Sequence, residues 1–297
     1  MNYFLDKNIL KIKIDSLFVN TIQDFFDEYI PSKKIQHLLI QNKWITLDGN
    51  PVKRESDIVG INLEINIYPE QYSYKELNKN LLDVVYEDEL LLVVNKPKGI
   101  LVHSDGNQEI TLTNMVESYL VNQNNISAYP LHRLDKETCG LVVFSKSIIF
   151  QPLFDKYLAE KKIRRNYLAF TKGNSELDKT IIIDKPIGKD RHDSNKRVVY
   201  KDGQPALTKV KCIAKGKGIS LMKCSLDTGR THQIRVHLAS VGLGIINDEL
   251  YGESSSLLNR MGLIANELDL YHPLKEDYIH LEIELPNDMG KLLNSLL

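Results

Sequence analysis

Ile22, Phe25, Phe26, Tyr29 and Ile30 recur at the spacing of one helical face and predict an amphipathic helix. Pro31 and Ser32 interrupt it. Ser32 is a candidate N-cap for a second helix that carries Ile35, Leu38 and Leu39 on one side. Trp44–Leu47 and Pro51–Lys53 flank Asp48-Gly49-Asn50, a hairpin signal, and Ile61, Leu63, Ile65 and Ile67 alternate as a strand does. Residues 1–70 therefore read as a small α+β unit of helix, helix, hairpin and strand, and residues 71–81 as a polar linker without period. From residue 82 onward the pattern changes. Two apolar runs around Glu87-Asp88-Glu89 predict a hairpin, and Asn95–Gly99 a turn. Ser147–Leu158 and Thr231–Val241 carry helical apolar faces, whereas Tyr167–Phe170, Thr208–Ala214 and Ile219–Leu226 read as strands. Strands joined by short turns, with few helices, predict an α+β fold on a largely antiparallel sheet for residues 82–297.

Composition adds constraints. The chain of 297 residues is 42% hydrophobic and 26% charged, as an ordinary globular protein is, and 297 residues suit one core domain with a smaller companion. No apolar run approaches the length of a membrane span, and the start lacks a basic-then-apolar leader. Cys139, Cys212 and Cys224 are odd in number and lack CxxC spacing, which predicts reduced thiols in a cytoplasmic protein. The net charge of −1 conceals a segregation: residues 160–230 hold 18 Lys and Arg against 8 Asp and Glu. A local excess of this kind suits a polyanion, although a solvated basic face is equally common.

The chemistry concentrates in His132-Arg133-Leu134-Asp135-Lys136-Glu137-Thr138, just before the apolar run Cys139–Phe144. An acid at the mouth of a buried strand can serve as nucleophile or general base, but Asp before Lys-Glu-Thr is also ordinary turn chemistry. Two further segments accompany it: Tyr86–His103, which contains Asn95-Lys96-Pro97-Lys98-Gly99, and Leu226–Leu238, which contains Gly229-Arg230-Thr231-His232-Gln233-Ile234-Arg235. Together, in this order, the three resemble the signature of the RluA-type pseudouridine synthases over roughly residues 80–290, where the Asp of the HRLD segment is catalytic.

The resemblance implies a set of roles. Asp135 is the reacting carboxylate, either as nucleophile or as the base that takes a ribose proton. Arg230 is the cation that pairs with it and keeps it ionised, with Arg235, one turn further on, as the competing cation. Tyr167 stacks on the target base and can accept a proton, although a lone strand tyrosine is more often core. Arg133 fills the gap left by the extruded uridine; simple phosphate binding is the other reading. Lys161, Lys162, Arg164 and Arg165, with the basic stretch Asp184–Lys201 read as a loop, supply backbone contacts to RNA. The first 70 residues resemble the RNA-binding module named after ribosomal protein S-four, with Lys33, Lys34 and Lys43 on its RNA side. The reaction is redox-neutral and calls for no cofactor or metal, and His232 and His237, five apart, do not share a helical face for a metal.

The match has departures. In Ile245–Gly252, Asn247 stands where the family usually has Gly, and Ile264 stands where it usually has His. Asn is the best-tolerated substitute where φ is positive. The implied protein is a cytoplasmic, monomeric enzyme acting on structured RNA, with large-subunit ribosomal RNA ahead of transfer RNA. The alternatives are an RNA-binding protein without catalysis and an aspartate-nucleophile hydrolase of small molecules.

Overall fold

Thr21 starts the first helix, α1 (Ile22–Tyr29), through a capping box: its hydroxyl accepts from the Asp24 N–H while the Asp24 carboxylate accepts from the Thr21 N–H. The buried face is the one expected, Ile22, Phe25, Phe26 and Tyr29. Ser32 does precede α2 (Lys33–Gln41), but its hydroxyl makes no capping bond; the buried Gln36 side chain instead donates to the Ile30 carbonyl and ties the turn. Asp48 (φ 46°) and Gly49 (φ 79°) are both left-handed and turn β3 (Ile45–Leu47) into β4 (Asn50–Pro51), as a two-residue hairpin loop requires. The computed structural model describes residues 2–14, 21–58, 60, 62–67, 82–106, 109–120, 128–173 and 175–296. The proposed linker 71–81 lies outside them, as does Ile61.

Periodicity overlooked two strands at the start. β1 (Asn2–Asp6) and β2 (Ile9–Lys13) form a hairpin, with Leu10 and Ile12 pointing inward between exposed neighbours. With β5 (Asn62–Asn66) they complete a five-stranded antiparallel sheet in the order β1-β2-β5-β3-β4. The Tyr3 ring stacks on His272, and Ser147 Oγ donates to the Ile67 carbonyl, so this sheet packs on the rest of the chain.

The second sheet has ten strands. β6 (Val84–Glu87) and β7 (Leu91–Lys96) form the expected hairpin, and β15 spans Ile219–Leu226 as read. β10 (Ile163–Lys172) and β14 (Leu207–Gly216) run longer than predicted because charged residues on their open faces hide the alternation. β8 (Tyr129–Pro130), β9 (Cys139–Ser145), β11 (Thr180–Asp184), β16 (Leu263–His272) and β17 (Asp277–Glu282) complete it. The order is β11-β14-β15-β10-β16-β9-β7-β6, with β17 beside β16 and β8 beside β9. The stretch read as a loop contains a separate hairpin, β12 (Ile187–Lys189) and β13 (Arg197–Val199). Around the sheet pack α3 (Leu112–Leu120), α4 (Gln151–Ala159), α5 (Gln233–Ala239) and α6 (Asn287–Leu296). Both central helices begin later than predicted, α4 at Gln151 and α5 at Gln233. The α+β, largely antiparallel expectation holds.

One pairing is parallel: β9 runs beside β16 through Cys139 and Gly140 against Ile264 and Ala265. This crossing is close. Gly140 has φ +116°, and a Cβ there would lie 2.2 Å from the Ala265 carbonyl oxygen. Ile264, the residue in place of the family histidine, is buried in the same core. Gly140→Ala is expected to cost about 3 kcal/mol or more, from backbone strain and overpacking together, read as a lowered urea midpoint with an unchanged slope.

Candidate active site

The loop from His132 to Thr138 joins β8 to β9, and four fixings hold it. Thr138 N–H donates to the Asp135 carbonyl (3.1 Å), and Gly99 N–H donates to the Lys136 carbonyl (2.8 Å). Lys96, fully buried at the end of β7, donates to the carbonyls of Pro97, Ile100 and Lys136 at 2.8–3.0 Å. Burial pushes its pKa down to about 8, against the pull of nearby acids, so the ammonium persists at neutral pH. His132 accepts the Val143 N–H (3.3 Å), and burial, reinforced by the Arg165 charge, keeps its ring neutral. The loop that carries Asp135 is thus anchored on both sides of the residue.

The cation beside Asp135 is Arg235, not Arg230. Arg235 Nη1 donates to Asp135 Oδ2 at 2.9 Å, while Nε and Nη2 grip both oxygens of Asp248 at 2.7 and 2.8 Å. Burial works against the Arg235 charge, but Asp248 and Asp135 outweigh it and raise its pKa. Arg230 makes no contact with Asp135: it is exposed, and its Nε donates to the Pro205 carbonyl. The cause is the turn before α5. Buried Gln233 accepts from Thr228 Oγ1 and Arg230 N–H and donates to the Leu207 carbonyl, so the helix starts at Gln233 and Arg235 falls in its first turn.

Asp248 was missed by sequence reasoning, although its segment was noted. Asn247 does adopt a left-handed φ of 57°, and its side chain donates to the Leu258 and Arg260 carbonyls and accepts from Ser255 N–H. The signal for Asp248 was an acid following such a residue inside an apolar run; its side chain is wholly buried.

Asp135 and Arg235 open into a cleft of about 960 Å³. Tyr167 lines it, placed by a bulge where the β10–β16 register shifts between Asn166 and Leu168. Burial raises the Tyr167 pKa; Arg165 opposes the rise and Asp135 adds to it. The ring is therefore a phenol at neutral pH, which disfavours the proton-accepting role expected of it. Arg133, Lys161, Arg164, Arg165 and Arg230 share the cleft. Lys162 does not line it; its ammonium sits 4.6 Å from the centre of the Tyr157 ring. Lys33, Lys34 and Lys43 belong to the N-terminal unit, where Lys33 donates to Gln23. Elsewhere, Glu267, Asp269 and His280 cluster within 4.8 Å, but Lys223 and Asn166 hold Glu267 and His280 is bonded to Asp269, as in an ion-pair group.

The family RNA pseudouridylate synthase matches residues 90–240. The uncharacterized RNA pseudouridine synthase YhcT of Bacillus subtilis strain 168 is 38% identical over 252 residues, covering 82% of this chain and 80% of that one. Ribosomal large subunit pseudouridine synthase D of Nitrosomonas europaea is 36% identical over 226 residues, covering 72% of this chain and 65% of its own. The structure of human RNA Pseudouridylate Synthase Domain Containing 4 superposes with a TM-score of 0.58 at 23% identity, over 72% of this chain and 92% of that chain, and supports the fold. An anchored aspartate paired with a buried arginine in a basic cleft, on this sheet and with these relatives, leads to one conclusion: the chain belongs to the RluA-type RNA pseudouridine synthases and is an isomerase acting on RNA.

Proposed function

We propose that this enzyme converts specific uridines in structured RNA to pseudouridine with Asp135 as the reacting carboxylate. The observation that carries the reading is the 2.9 Å pairing of Asp135 with Arg235 at the cleft. The reaction breaks the bond from N1 of uracil to the ribose carbon, rotates the base and forms the bond from carbon 5; N1 gains a proton and carbon 5 loses one. A carboxylate starts either route, by attack on carbon or by taking a ribose proton. Arg235 orients Asp135 through a charge-assisted hydrogen bond to its Oδ2. Tyr167 offers a ring for the base to stack on. Arg133, exposed at the cleft, suits the space vacated by an extruded uridine.

Lys161, Arg164, Arg165 and Arg230 bind phosphates without reading sequence, and Lys162 extends the same surface. Large-subunit ribosomal RNA is the favoured substrate, supported by relatives named as ribosomal large subunit pseudouridine synthase D, with transfer RNA second. Residues 1–70 act as an S-four-like RNA-binding domain through Lys33, Lys34 and Lys43, ahead of a catalytic domain from residue 82. The enzyme works as a cytoplasmic monomer without cofactor or metal. Among the described residues no helix is long and apolar enough to cross a membrane.

Asp135→Asn is expected to lower tritium release from RNA labelled at carbon 5 of uridine by about 10²–10⁴-fold, with RNA affinity little changed. Retained turnover would refute the assignment. Arg235→Lys keeps the charge but loses the fork, and should reduce the rate at saturating RNA by about tenfold or more. Arg230→Ala should leave that rate near wild type, weaken RNA binding and shrink the salt slope by about one.

A further inference from the structure

Tyr251 stands where the reactive carboxylate, its arginine and the basic hairpin meet. Its hydroxyl accepts the backbone N–H of Arg197, in β13, at 2.6 Å and lies 2.9 Å from His232 Nδ1. Its ring centre is 5.1 Å from the Arg235 guanidinium carbon and 5.6 Å from the ammonium of Lys196, in the loop of the same hairpin. Asp248, which grips Arg235, also accepts the Tyr251 backbone N–H.

This hydroxyl joins the hairpin backbone to His232. Burial raises the Tyr251 pKa, so the group is a phenol with one proton. Having accepted from Arg197, it can donate that proton to Nδ1 of His232, 2.9 Å away. His232 is neutral, because burial lowers its pKa, Arg235 and Arg197 reinforce the fall, and Asp135 and Asp248 only partly oppose it. A neutral ring that accepts at Nδ1 carries its hydrogen on Nε2, the nitrogen nearer Asp135. Nε2 lies 3.8 Å from Oδ1 of Asp135, while Arg235 takes the other oxygen, Oδ2. His232 reaches this place in a left-handed conformation, φ 58° and ψ 19°, uncommon for a residue with a side chain.

We propose that His232 is a positioning residue for the isomerisation, its Nε2–H closing from 3.8 Å onto Oδ1 of Asp135 as RNA binds, and that Tyr251 makes this contact depend on the basic β12–β13 hairpin. RNA docked against the hairpin then sets the carboxylate that reacts. The inference rests on Asp135 as the reacting group.

The test is single-turnover pseudouridine formation by the full chain on carbon-5-labelled RNA from cells lacking this gene, with affinity measured by filter binding. His232→Gly deletes the imidazole while relieving the left-handed backbone, so a purely conformational role would survive it. His232→Gln returns a side-chain N–H. Tyr251→Phe removes only the hydroxyl and keeps the ring against Arg235. The expected result is a rate at saturating RNA lowered by about 10- to 100-fold in His232→Gly, with affinity and melting temperature near wild type and substantial rescue in His232→Gln. Tyr251→Phe should slow the reaction in the same direction but less. A wild-type rate in His232→Gly, or no rescue by Gln, overturns the positioning role, and a wild-type rate in Tyr251→Phe overturns the link to the hairpin. Turnover by Asp135→Asn would instead remove the assignment beneath the inference; an inactive Asp135→Asn beside a fully active His232→Gly removes the inference alone.

Discussion

A guanidinium buried between two carboxylates is the constraint around which this enzyme is arranged. Taking three charges out of water is costly, and the group is tolerable because its geometry is satisfied: Arg235 spends two donors on Asp248 and one on Asp135. Its position makes the demand stricter. Arg235 lies in the first turn of α5, where the helix dipole disfavours a cation, so Asp248 also offsets the field of its own neighbouring peptide groups. Three segments distant in sequence, the 132–138 loop, the start of α5 and the 245–252 turn, converge on this one side chain. The close crossing of β9 and β16 at Gly140 brings the first of them into range.

Much of this was legible from residues alone where a single period dominates. The apolar face of α1 and the whole of β15 come directly from spacing, whereas Asp135 and Tyr167, both of which line the cleft, stood out only through the family resemblance. The losses have local causes. β12 and β13 have three residues each and too little apolar alternation to stand out from a basic loop. β2 buries only alternate residues over five positions, and β1 buries none fully. The choice between Arg230 and Arg235 depended on where α5 begins, and that is decided by the Gln233 side chain bonding back across the turn, which no periodicity reveals. Asp248 escaped because its importance lies in a partner thirteen positions upstream.

Electrostatics at the cleft also differ from what the totals suggest. The overall charge of −1 would disfavour a polyanion, and the buried trio of Asp135, Asp248 and Arg235 itself sums to one negative charge. Around it stand Arg133, Lys161, Arg164, Arg165 and Arg230. The cleft therefore has a cationic rim around an anionic interior, so a polyanion and a group deeper in the cleft would meet fields of opposite sign.

The sharing of Arg235 between unequal partners carries an evolutionary consequence. Asp248, with no exposed side-chain surface, holds two of the three contacts, and Asp135 holds one. Exchange of Asp135 for Asn takes a single base change in the codon and leaves the guanidinium still bound to its inner carboxylate. On the role proposed for Asp135, catalysis can thus be lost by drift with little folding penalty to purge the variant. A duplicated copy could then persist as a pure RNA binder, shaped like an enzyme and selected for occupancy alone.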